Sequence, residues 1–233
     1  MASTRTLPAL FLSCRDGRPA VSRPAPLISR LVEPGTAVEA VVFITMDHAE
    51  PGARLSGGPA GSERLQSLAR LLAGQGLVVQ IERLPGPALA DVAAELCEPT
   101  LDECIELCLS RDLGARRCRQ IGQALSTWRE DNVLLVCLDR VRDEARADGL
   151  RPLHDPYWRG LMSHWVEQQQ WRQAMSGSAE LAFDPSQDED DGTDTLCLLQ
   201  AAFGLGGQHM PERLFGFDLD DTCLALSGYG WMN

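Results

Sequence analysis

The stretch from Val38 to Met46 (V-E-A-V-V-F-I-T-M) limits the fold more than any other part of the chain. It is almost wholly β-branched or apolar, with Glu39 the single charge, so it predicts a strand covered on both faces. Such strands belong to parallel sheets layered between helices. Leu7–Leu12, Leu77–Ile81, Cys104–Leu109 and Val133–Leu138 have the same character and predict four more strands. Between them the period changes. Ser62 is a natural N-cap, and Leu65, Leu68, Leu71 and Leu72 follow at helical spacing until Gly74 and Gly76 end the helix. Ala88–Leu96 predicts a short helix. Arg116–Arg129 predicts another, with Cys118, Ile121, Leu125 and Trp128 on one face. The segment from Gly52 to Gly61 is expected to be a loop. Strand and helix alternating at this spacing predict one α/β domain over residues 1–233, its largely parallel central sheet flanked by helices.

The second half is less regular. Asp155-Pro156 has the form of a helix start, and Trp158, Leu161, Met162 and Trp165 make an apolar stripe expected to face the core. An acidic loop is expected from Asp184 to Asp194, then a helix from Thr195 to Phe203 stopped by Gly204, Gly206 and Gly207. Cys223–Leu226 reads as a closing strand, with Tyr229 and Trp231 behind it.

Composition narrows the chemistry. At 44% hydrophobic and 23% charged residues, the chain is expected to pack a core. A net charge of −12 argues against a duplex nucleic-acid or anionic-membrane partner, because both require a basic face. All 21 basic residues are arginine. The lack of lysine removes P-loop nucleotide chemistry, Schiff-base catalysis and haloacid-dehalogenase phosphatase chemistry, each of which uses a lysine ammonium. The eight cysteines form no C-x-x-C pair and sit mostly in apolar runs, as buried free thiols of a cytoplasmic protein do. The N-terminal apolar run is too short for a signal peptide, and none is long enough to span a bilayer.

Several motifs invite chemistry that their surroundings deny. Phe217-Asp218-Leu219-Asp220-Asp221-Thr222 copies a phosphatase nucleophile loop but has no lysine to support it. Asp188-Glu189-Asp190-Asp191-Gly192 resembles a calcium loop, yet Gln187 and Leu198 would occupy its first and last ligand positions. Ligands of parallel sheets bind at the carboxyl ends of strands. The residues there are Cys14, Asp47-His48 and Asp139–Asp143. Cys14 beside Arg15 is a candidate thiol nucleophile. Asp47-His48 is the most chemically suggestive pair, and Asp139, Asp143 or His209 could join it around a metal; His154 is a further imidazole.

In order and spacing, these segments resemble the class III extradiol ring-cleaving dioxygenases, in the single-domain branch similar to DOPA dioxygenase (LigB-like). The resemblance rests on Leu7–Ser13, Val41–Asp47, Gly58-Pro59-Ala60-Gly61-Ser62 with the helix behind it, Ile105–Leu109, Ile121–Leu125 followed by Asn132–Val136, and Leu224-Ala225-Leu226-Ser227-Gly228-Tyr229. It covers almost the whole chain and implies that family's fold. The family binds iron, or zinc in some members, through three histidines. Those positions fall here on Cys14, on Asp47 with His48 one step beyond, and near Asp143. The proton-moving loop histidine falls on Pro87, and a histidine near the last helix falls at about Thr195. A ring-opening site needs neutral imidazoles with open metal positions, and proline cannot move a proton. The resemblance therefore implies a catalytically inactive, metal-free relative. It would be a homodimer, or a heteromer with an active homologous subunit, and a small aromatic molecule is its expected ligand. The alternative is a working Fe2+ or Zn2+ enzyme that uses Asp47, His48 and Asp143.

Overall fold

The computed structural model describes residues 6–15, 38–48, 51–58, 62–82, 103–141, 191–209, 211–215 and 225–232. Among the described residues eight strands lie in one sheet: β1 (Ala9–Arg15), β2 (Ala40–His48), β3 (Ala53–Gly57), β4 (Val79–Glu82), β5 (Glu103–Ser110), β6 (Val133–Val141), β7 (Glu212–Phe215) and β8 (Ala225–Trp231). Their order is β4-β3-β5-β2-β6-β1-β8-β7. The central block β5-β2-β6-β1 is parallel throughout; β3 joins β5 and β8 joins β1 antiparallel. The protein is thus α/β with a mostly parallel mixed sheet, as the apolar runs predict.

Three helices are described: α1 (Glu63–Gly74), α2 (Gly114–Leu125) and α3 (Asp191–Leu205). Alternation sorts the strand side chains. Phe11, Val42, Ile44, Leu55, Leu107 and Leu135 turn to one face and pack with Leu65, Leu68 and Leu72 of α1, Ile121 and Leu125 of α2, and Leu198 and Phe203 of α3. Leu10, Leu12, Val41, Phe43, Leu134 and Val136 turn to the other and are equally buried. Covering both faces is the reason these strands read as continuous apolar runs.

Four expectations need correction or limits. The segment from Gly52 to Gly61 is not all loop, because Ala53–Gly57 forms β3 and pairs with both β4 and β5. The acidic run does not stay a loop to Asp194, because α3 begins at Asp191; carboxylates suit a helix N-terminus. The helix expected through Arg129 is α2 only as far as Leu125, and a 3-10 turn carries Ser126–Asp131. The helices expected at 88–96 and from Asp155, the stripe Trp158–Trp165, and the phosphatase-like motif at 217–222 lie outside the described residues.

Polar groups hold the amino-terminal end of the sheet. The Ser62 hydroxyl accepts from the Leu65 amide at 3.0 Å, capping α1 as predicted, and donates to buried Glu103. Arg64 reaches both Glu103 and Glu39, and Asn132 donates to Glu39 at 3.2 Å. The Asn132 and Arg64 hydrogen bonds hold the Glu39 carboxyl below its ordinary pKa. Its contribution is therefore present above the ordinary carboxylate range and lost as pH falls through the depressed value. Ser62→Ala is expected to cost about 1 kcal/mol, the usual worth of an N-cap, read as a lower urea midpoint.

A mouth at the carboxyl ends of the central strands

The parallel block does not stay zipped along its length. The last ladder pair between β2 and β6 is Ile44 with Cys137. Both strands continue, but with different partners. β2 stays with β5 as far as His48 opposite Ser110, across an irregularity between Met46 and His48, while β6 stays with β1 as far as Arg15 opposite Val141. Chain direction divides at the same place: β2 leads on to β3 on one side, and β6 to β7 and β8 on the other. A division of this kind at the carboxyl ends of parallel strands is where α/β sheets form a ligand crevice.

Three of the candidate positions share this end. Cys14 stands opposite Arg140 on β6 and Ala225 on β8, Asp47-His48 ends β2, and buried Asp139 stands opposite Ser13. α3 brings Thr195 to the same end. Its last carbonyl, that of Leu205, accepts from Arg129 at 3.0 Å, and Arg129 also donates to Leu7 just before β1. The first turn of α3 therefore lies at the opposite, carboxyl end. There Asp194 pairs with Arg111, the residue that follows β5, at 3.0 Å. Pro87, Asp143 and His154 lie outside the described residues.

His209 does not belong to this group. It is exposed and follows the carboxyl end of α3. Its carbonyl accepts from the Trp231 indole N–H at 2.8 Å, and Trp231 pairs with Ala9 at the start of β1. Cys14 is five residue steps along β1 from Ala9, roughly 17 Å of strand. A metal cluster joining His209 to Asp47-His48 is excluded by that separation.

Sequence reasoning missed one buried carboxylate at the root of the mouth. Glu106, in the middle of β5, is buried and accepts from the Thr45 hydroxyl at 3.0 Å and the Ser56 hydroxyl at 3.2 Å. Thr45 is the first residue of β2 past the point where the β2–β6 ladder stops. Cys104 and Cys108 flank Glu106 at i−2 and i+2 and so share its face. Burial, and then the Glu106 charge, push the Cys104 thiol up to about 11. It is therefore a neutral thiol at physiological pH, not a nucleophile. The signal for Glu106 was present as a lone carboxylate inside C-I-E-L-C-L.

By residue type, the described strand positions at this end are a cysteine, two aspartates and one histidine. That set does not fit an extradiol metal centre, which requires several neutral imidazoles and two open positions. Among the described residues no group of three or more His, Cys, Asp or Glu side chains could hold a metal ion. Also among them, no helix is long and apolar enough to cross a membrane.

No family model and no curated protein matches this chain. Among solved structures, it is similar to the uncharacterized protein JW3007 from Escherichia coli K12, with a TM-score of 0.63 and 15% sequence identity. The match covers 96% of this chain and 99% of that one. At this identity the likeness is one of fold: this chain shares an α/β architecture with the Escherichia coli protein along nearly the whole length of both.

Proposed function

We propose that this chain is a non-catalytic relative of the class III extradiol dioxygenases that binds a small aromatic molecule between the ends of β2 and β6. In this reading it works without a metal, as a homodimer or as the partner of an active homologous subunit. One observation carries the reading. Cys14, Asp47 and Thr195, where the resemblance expects histidines, fall at one end of the parallel block, and none of the three is an imidazole. In this reading the fold is kept while the ligand set has changed, and function follows the site rather than the fold.

His48 favours a second reading, because it is an imidazole at the end of β2. With Asp47 and Asp143 it would form an atypical iron or zinc centre. Titrating the purified chain with catechol in air separates the two. The first reading expects saturable quenching of tryptophan fluorescence and no coloured ring-opened product. Steady formation of that product would refute it.

A further inference from the structure

We propose that Cys118 and Cys197 form a latent disulfide that staples α2 to α3 when the protein meets a hydroperoxide. The inference is independent of the mouth and rests on how the two helices cross. Their carboxyl ends lie together, since Arg129, in the turn after α2, donates to the Leu205 carbonyl that ends α3. Their backbones touch. A Cβ on Gly122 would collide with the Ala201 carbonyl, and one on Gly204 with the Arg119 carbonyl. One turn before Gly122 stands Cys118, and one turn before Ala201 stands Cys197.

Roughly parallel helices that meet backbone to backbone at one turn bring the preceding residues into register. That close approach is what a disulfide requires of its Cα atoms. The two side chains lie close enough to interact, with Cys137 of β6 nearby. Both are free thiols, 0% and 1% exposed. The shut pair is therefore unreactive, and oxidation waits on local opening of the helix pair.

The chemistry balances with the peroxide as oxidant. One thiol attacks the O–O bond and is oxidised to a sulfenic acid, and the other peroxide oxygen leaves as water when the oxidant is hydrogen peroxide. The second sulfur then attacks the first, an S–S bond forms, and a second water leaves. Two electrons pass from the thiols to the peroxide, and two protons end in water.

The test uses the wild-type full chain, so no variant needs to fold. The protein is treated with hydrogen peroxide, quenched, denatured, alkylated, and digested with a protease that cuts after Asp and Glu. Cys118 then lies in the peptide 113–130, Cys197 in 195–212 and Cys137 in 132–139, one cysteine in each. The expected result is a species joining 113–130 to 195–212, about 2 Da below the sum of its parts and split by reductant. A thermal midpoint several degrees higher should accompany it, because the cross-link restricts the unfolded chain. Recovery of both peptides fully alkylated, or a dominant link from Cys118 to Cys137 instead, would overturn the proposal.

Discussion

Arg129→Met should lower stability by about 3–5 kcal/mol, the cost of leaving buried polar groups without their charged partner. Arg129 is 4% exposed, and its guanidinium donates to three carbonyls: Leu7 at 2.6 Å, Leu205 at 3.0 Å and Trp231 at 3.0 Å. These are the entry to β1, the end of α3 and the end of β8, which no stretch of continuous chain holds together. Methionine fills much of the same volume but offers none of the donors, so the three carbonyls remain buried and lose their partner. Arg129→Lys should recover only part of the loss, since an ammonium is a point donor and cannot span three acceptors as the planar fork does. Equilibrium urea unfolding measures this directly. A fall in the midpoint at constant slope is expected, and a change below about 1 kcal/mol would mean the three bonds add little beyond hydration.

The second large effect belongs to the crossing of α2 and α3. Replacing glycine by alanine inside a helix ordinarily stabilises it by about 0.5–1 kcal/mol. At Gly122 and Gly204 the sign should reverse. The new methyl would meet backbone of the facing helix, which cannot rotate away as a side chain can. Overpacking of this kind costs about 1–3 kcal/mol, so either alanine should destabilise by that amount, and valine by more. Gly74→Ala is the control, because nothing lies within 4 Å of the added carbon. The double variant Gly122→Ala/Gly204→Ala should cost less than the sum, since once the helices separate for one methyl they accommodate the other. Thermal unfolding of the wild type and the four alanine variants gives the comparison.

The same contacts show what a sequence can reveal and what it cannot. β2 and β6 were legible because a strand buried on both faces has to be apolar along its length. α1 was legible because Ser62, the leucine spacing and the closing glycines all point the same way. β3 was hidden. It is five residues long between glycines, and its reason for being a strand is β5, about fifty residues later in the chain. β7, four residues long, gave no periodic signal either. Arg129 carried no signal beyond its place at the end of the expected helix, since only the fold brings three distant carbonyls to it.

At the candidate site, local sequence identified the strand ends correctly but could not sort them by position. Cys14, Asp47-His48 and Asp139 come to one end because their strands are parallel neighbours. His209 goes to the other end because it follows a helix that runs back against those strands. Glu106 escaped notice because its partners, Thr45 and Ser56, lie on two other strands. A carboxylate in mid-strand, flanked by alternate cysteines, was the only local hint.

The most direct test is the metal content of the full-length chain, purified without chelator and offered iron(II) or zinc, together with catechol-dependent dioxygen uptake. The account predicts metal far below one equivalent per chain and no uptake above the protein-free rate. One firmly held iron or zinc per chain, lost in His48→Ala and accompanied by oxygen consumption, would contradict it.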